Sequence, residues 1–295
     1  MNEIYLKTAR LLTQVAPFVF EGATFALKGG TAINLFMRDM PRLSVDLDLV
    51  FVDHRLPRQE ALAQIGKLLG KASTLLRAKG FQTHSSGAAE AGETKLLVKR
   101  DGIEVKIEVN YVMRGTVRPV ATRGLTARAQ DLLQAELEIP VVSVDDVYGG
   151  KLVAAMDRQH PRDLFDVKEL LASEGITSGI RRAFVVYLAS HNRPLHEVLF
   201  PPMRDVAYEF ESNFVGMTTE PVQLEQLLAA REQMIATLHA SLDAQEREFL
   251  VSMAQGDPRW ELMGLEHLSE LPAVQWKLQN LARLRATNRR KFEEQ

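Results

Sequence analysis

Two carboxylates stand two residues apart in the segment Arg42-Leu43-Ser44-Val45-Asp46-Leu47-Asp48-Leu49-Val50-Phe51. Its apolar residues Leu43, Val45, Leu47, Leu49 and Phe51 alternate with Ser44, Asp46 and Asp48. A period of two predicts a strand over 42–52 with an apolar face and a face of oxygen donors. Carboxylates at i and i+2 of a strand have α-carbons roughly 6–7 Å apart and repel unless a cation sits between them. Mg²⁺ suits that position, with Mn²⁺ as its substitute, because both are hard ions that take carboxylate and phosphate oxygens together. Two such ions about 3.5–4 Å apart activate an attacking oxygen and steady a leaving one. The competing explanation is a pair of exposed aspartates ion-paired to surface lysines on an edge strand. Strands disfavour Asp, and this one has two on an otherwise apolar track, which weighs against that explanation.

A second constellation precedes the first. Phe25-Ala26-Leu27 reads as a short strand running into Lys28-Gly29-Gly30-Thr31, and AINLFMR then reads as a helix. Strand, glycine turn and helix make a phosphate-binding geometry: glycines admit close approach of the backbone, the first free N–H groups of the helix face an anion, and Thr31 adds a hydroxyl. An ordinary turn with Thr31 as helix N-cap accounts for the same residues equally well. In Gly102-Ile103-Glu104-Val105-Lys106-Ile107-Glu108-Val109-Asn110-Tyr111, apolar and polar residues again alternate, so Lys106 and Glu108 share a face. Glu108 is the candidate third carboxylate and metal ligand; a solvent-facing Lys106–Glu108 stripe is the alternative.

Charges gather again near the middle of the chain. Ser143-Val144-Asp145-Asp146 resembles a capping box and opens a helix on which Lys151 and Arg158, seven apart, share a face. Pro161 ends that helix and starts another, with Asp163 and Asp166 on one side and Arg162 beside them. A purely structural ion-pair cluster between helices is the competing account of these residues.

The elements that must position these groups fall into two kinds. Helices are expected at about 4–16 and 58–79, and strands at about 25–27, 42–52, 93–100 and 102–112, which makes an α/β layer. From Ser143 onward the pattern is helical, punctuated by Pro161, Pro194, Pro201, Pro202, Pro221, Pro258 and Pro272. Leu224, Leu227, Leu228, Met234, Ile235, Leu238 and Leu242 mark one amphipathic helix there. The fold class is therefore α+β: a small mixed sheet with flanking helices over 1–175, then a mainly helical domain over 176–295. Lys277, Arg283, Arg285, Arg289, Arg290 and Lys291 lie on a last helix that offers cations to an RNA phosphate backbone, or else a solvated face.

Composition removes other chemistries. With no cysteine there is no disulfide, thiolate nucleophile or cysteine-held metal, and the seven histidines form no HExxH pattern. The net charge of −2 means that any nucleic acid is held by local cations and not by the protein as a whole. The N-terminal segment reads as an amphipathic helix instead of an export signal, and no run approaches the ~20 apolar residues of a membrane span. A cytoplasmic location without membrane attachment is expected.

LKGGTAINLF followed by RLSVDLDLVF resembles the signature of the polymerase-β-type nucleotidyltransferase superfamily, and more narrowly of the AbiEii/MenT toxin family; PRDLFD and LPAVQWKLQNL are similar to that family as well. The resemblance implies Mg²⁺-dependent transfer of a nucleoside monophosphate from a nucleoside triphosphate to an RNA acceptor, the 3′ end of tRNA in relatives, which blocks aminoacylation. It implies a nucleotidyltransferase fold, a cognate antitoxin from a neighbouring gene, and a requirement for Lys151 and Asp163. On that footing Asp46 and Asp48 hold the metal, Ser44 stands nearby, Lys28, Gly29, Gly30 and Thr31 cradle phosphate, and Lys151, steadied by Asp163 and assisted by Arg158 and Arg162, neutralises it. Lys151→Ala is then expected to fold normally and to lose transfer. Ser44 is also a candidate control point, because a phosphate there would repel metal and substrate; mass spectrometry after coexpression with the neighbouring gene would find it unmodified if the idea is wrong. Two rival functions are nucleotide transfer to a protein or small molecule, and a binding module (antitoxin or scaffold) without turnover.

Overall fold

The computed structural model describes residues 3–86 and 93–294. The chain divides into two compact units. One is Met1–Ser143 with Val215–Pro221, and the other is Val144–Phe214 with Val222–Gln295.

The first unit is built on a mixed sheet. In chain order its elements are α1 (Glu3–Val19), β1 (Phe25–Lys28), α2 (Gly29–Thr31, running on as a π-helical segment over Ala32–Met37), β2 (Asp46–Phe51), α3 (Arg58–Ala78), β3 (Gln82–Ser86), β4 (Glu93–Arg100), β5 (Ile103–Asn110), β6 (Ala121–Gly124), α4 (Ala127–Leu133) and β7 (Glu138–Val141). The strands lie in the order β3-β4-β5-β2-β1-β7-β6. β1 pairs antiparallel with β2, while β2 and β5 are parallel, so the aspartate strand is central. Alternation sorts its residues as expected: Leu47, Leu49, Val105, Ile107, Val109, Leu96 and Val98 are fully buried, whereas Asp46, Asp48, Lys106 and Glu108 stay half-buried on the opposite face. Helices α1 and α3 pack together, and α1 lies against β5.

The strand expected over 42–52 begins at Asp46. Residues 42–45 are instead a loop, joined to the returning segment by an isolated bridge from Arg42 to Thr218. Backbone N–H groups of Leu43 and Thr219 donate to Met217 and Pro41 carbonyls at 2.8 and 2.9 Å, and the Thr219 hydroxyl donates to Met40 at 3.0 Å. Val215–Pro221 is thus a strap across the approach to β2.

The second unit contains α5 (Val144–Arg158), α6 (Pro161–Leu171), α7 (Ser178–Ala189), α8 (Leu195–Leu199), α9 (Ala207–Asn213), α10 (Leu224–Ser241), α11 (Ala244–Ala254), α12 (Pro272–Thr287) and α13 (Arg289–Glu293). A Cβ at Gly149 would come within 2.7 Å of the Ala183 side chain, so glycine is what lets α5 press against α7. The interface is sealed by the Tyr187 hydroxyl donating to Asp146 at 2.7 Å. The units therefore meet in sequence at Ser143/Val144 and not near residue 175, because α5 and α6 pack with α7 and α10. Among the described residues no helix is long and apolar enough to cross a membrane.

Candidate active site

Strand register assembles the first constellation. Asp48 pairs with Lys28 of β1 on one side and Glu108 of β5 on the other, and Glu108 pairs in turn with Lys95 of β4. One step along, Asp46 pairs with Lys106. Register partners share a face, so the polar side of the sheet carries Lys28, Asp48, Glu108 and Lys95 in one row and Asp46 and Lys106 in the next.

The glycine turn closes on this face. Gly29 has φ +72, in the left-handed region, and a Cβ there would lie 2.5 Å from Asp48 Oδ2. Both facts demand glycine. A Cβ at Gly30 would lie 2.6 Å from Arg42 Nη2 and 3.4 Å from Ser44 Oγ. Thr31 is buried, its hydroxyl bonded to the Ser44 hydroxyl at 2.8 Å and to the Asp46 carbonyl. The helix N-cap is Lys28, not Thr31, and it makes no side-chain cap bond. Thr31 and Ser44 thus brace the turn against the start of β2, while Gly29, Gly30 and Lys28 remain at the half-buried edge.

Arg42 is a residue that alternation alone did not single out. Its side chain is 1 % exposed and donates to the Leu43 carbonyl at 2.9 Å, with the guanidinium against Gly30. A buried guanidinium beside the turn is a positive charge close to the start of β2, fixed by its bond to the Leu43 carbonyl.

Glu108 is ion-paired to Lys95 at 2.9 Å and to Lys106 at 3.1 Å. Burial alone would raise its carboxyl, but the two lysines outweigh that and hold it below the ordinary value. Glu93 and Glu108 in turn push the Lys95 ammonium above its usual range.

The donor set fits Mg²⁺ as a substrate-completed site. Among the described residues no three His, Asp or Glu side chains form a ready cage. Mg²⁺ needs none: one or two carboxylates plus substrate phosphates suffice, and Asp46 and Asp48 supply two half-exposed ones beside a glycine turn.

In the second unit Lys151 donates to Asp163 at 2.7 Å and lies 3.0 Å from Asp166. Arg158 meets Asp163 through two nitrogens at 2.5 and 3.1 Å. Burial would raise the Asp163 carboxyl, but Lys151 and Arg158 hold it well below the carboxylate range. Lys151 is buried with both aspartates, whereas the Arg158 side chain is 61 % exposed. His160 caps α6, its Nδ1 accepting from the Arg162 N–H at 3.2 Å, and Gln159 is fully buried, bonded to Pro202, Arg204 and Arg231. Arg162 is half-buried in the first turn of α6.

The expected C-terminal cations separate. Lys277 is 5 % exposed, donates to the Arg193 carbonyl at 2.7 Å, and burial brings its pKa down to about 8. Arg283, Arg285, Arg289, Arg290 and Lys291 are exposed, and the single helix expected here breaks at Asn288, which caps α13.

Comparison with known proteins follows the same lines. Among solved structures, MenT4, a nucleotidyltransferase toxin from Mycobacterium tuberculosis H37Rv, matches with a TM-score of 0.61 at 19 % identity, over 94 % of each chain. That likeness is one of fold. No curated protein matches the chain in sequence. A family model described as the nucleotidyl transferase AbiEii toxin of type IV toxin–antitoxin systems matches residues 10–280, taking in the glycine turn, the aspartate strand and the Lys151–Asp163 helices. The chain belongs to the AbiEii nucleotidyltransferase toxin family.

Proposed function

We propose that this toxin is a Mg²⁺-dependent enzyme that transfers a nucleoside monophosphate from a nucleoside triphosphate to the 3′ end of tRNA in the cytoplasm. The added nucleotide blocks aminoacylation, and a cognate antitoxin restrains the enzyme. The observation that carries the reading is the pair Asp46 and Asp48, side by side on the polar face of the sheet with Asp48 against the Gly29 backbone.

Asp46 and Asp48 hold Mg²⁺, or Mn²⁺ in its place, which when bound offsets charge on the phosphates. Gly29 and Gly30 let the phosphate chain approach the backbone, and Lys28 adds a positive charge beside Asp48. Arg42, Thr31 and Ser44 keep the turn and β2 in register. The acceptor 3′-oxygen forms a bond to the α-phosphorus as the α–β bridging bond breaks. Pyrophosphate leaves with the electron pair and the hydroxyl proton passes to water. Most of the acceleration is positioning and charge compensation. Lys151 and Asp163 sustain activity as a unit with Asp166 and Arg158, and Arg158 and Arg162 add positive charge beside it.

The test is incubation of purified protein with each of the four triphosphates labelled at the α-phosphate, Mg²⁺ and total tRNA. Label is expected in tRNA with wild type and to disappear with Asp46→Asn or Asp48→Asn. Label in protein or a small molecule would overturn the acceptor, and undiminished transfer by Asp46→Asn would overturn the mechanism.

A further inference from the structure

Glu108 occupies the place from which a third metal-binding carboxylate would come, beside Asp48 in register. Both its oxygens are already engaged, Oε1 by Lys95 and Oε2 by Lys106. A carboxylate held between two ammonium groups has both oxygens neutralised, which leaves it little charge to offer a cation. The two lysines are not equivalent. Lys95 is also 2.9 Å from Glu93 and so is balanced by two carboxylates. Among the described residues Lys106 meets Glu108 alone, and its side chain is 36 % exposed. An ammonium has three donors, so one bond to Glu108 leaves Lys106 donor capacity for a further acceptor. Lys106 is moreover the register partner of Asp46, on strands about 4.8 Å apart. A phosphate chain brought to the aspartates lies within its reach.

We infer that Lys106, aimed by Glu108, binds the phosphate chain of the nucleoside triphosphate, and that Glu108 is a positioning residue and not a metal ligand. The inference rests on the nucleotide-transfer reading above. Lys95 completes the device: by holding Oε1 it fixes the carboxylate, which leaves Oε2 to orient Lys106. Lys106 and Glu108 both stand on β5, which is paired on either side and holds a binding geometry more firmly than a loop does. A triphosphate is the fitting ligand because Lys106 flanks the carboxylate expected to carry its metal, and a lysine point charge suits a phosphate oxygen.

The experiment measures equilibrium binding of ATP, GTP, CTP and UTP, each with Mg²⁺, and steady-state transfer to total tRNA. Lys106→Ala is expected to weaken triphosphate binding and raise the triphosphate KM about tenfold, with kcat and the RNA KM within about twofold. Lys106→Arg should restore most of the binding. Glu108→Gln should raise the triphosphate KM by a smaller factor and leave the Mg²⁺ concentration for half-maximal activity within about twofold of wild type. Thermal melts confirm that each variant is folded. The inference is overturned by unchanged triphosphate binding in Lys106→Ala, by a rise in the RNA KM instead, or by a Glu108→Gln variant whose Mg²⁺ requirement climbs as that of Asp48→Asn does. A wild-type protein that binds triphosphate without transferring it would defeat the transfer reading alone, since the binding comparison still decides Lys106. Wild type that binds none would defeat both.

Discussion

A cation wedged between two buried carboxylates cannot be removed without leaving charge behind. Lys151 is 6 % exposed, and Asp163 and Asp166 are each 1 % exposed. The expectation that Lys151→Ala folds normally therefore does not survive the structure. The variant leaves one buried aspartate with Arg158 and the other without its lysine, and breaking a buried pair of this kind destabilises by about 3–5 kcal/mol. Urea unfolding should register that loss, and Asp166→Asn added to Lys151→Ala should recover part of it; a single variant as stable as wild type would refute the account. The depressed Asp163 carboxyl has a further consequence. Its stabilisation is present above the unfolded pKa near 3.9 and is lost as pH falls towards the lower folded value. At this scale the sequence is informative where periodicity fixes a direction, as it does for Asp46, Asp48 and the shared side of Asp163 and Asp166. It is silent on Arg42, which is buried and bridged to Thr218, remote in the chain and joined to it by no local pattern.

Among the elements, the glycine turn gives the sharpest expectation. Gly29→Ala must hold an L-residue at φ +72, a strain of about 1–2 kcal/mol, and must move Asp48 as well. Nucleotide transfer should fall much further than stability, which parallel activity and unfolding measurements would establish; equal losses would mean that the turn is only structural. The start of α6 supplies a pH test. Burial, then Arg162, lowers the pKa of His160, whose neutral Nδ1 caps the helix. The unfolded chain binds that proton more readily. The contribution of the cap is therefore full above pH 6.5 and lost as pH falls through the lowered folded value. His160→Asn, a non-titrating cap, should flatten the decline of stability between about pH 6.5 and 5 relative to wild type. Parallel curves would dismiss the idea, and His191, also lowered by burial, cancels because both proteins retain it. Strands with an apolar track were readable from residue types, as β2, β4 and β5 were. β3 (Gln82–Ser86) is polar and mostly exposed, β6 contains Gly124, and β7 contains Pro140, so each exists by pairing with a neighbour and not through its own pattern.

For the molecule as a whole, composition limits what can hold RNA. A net charge of −2 gives no general attraction to a polyanion, so affinity must come from a few local cations. The C-terminal segment offers them unequally. Arg283 is exposed on α12, and Arg285 is exposed and lies 5.5 Å from the Phe292 ring centroid. Arg289 and Arg290 form i,i+4 pairs with Glu293 and Glu294 that a phosphate would have to displace. Lys277, which helical spacing places with this group, points inward to the Arg193 carbonyl. If tRNA binds here, log Kd should vary linearly with log salt, and each phosphate contact removed should flatten the slope by about 0.7 to 0.9. Arg283→Ala with Arg285→Ala is expected to reduce the slope by about twice that amount. Lys277→Ala should lower the melting temperature and leave the slope unchanged. Fluorescence anisotropy with labelled tRNA over a range of salt concentrations separates the two outcomes. A slope that responds to Lys277 and ignores the two arginines would place the RNA elsewhere on the protein.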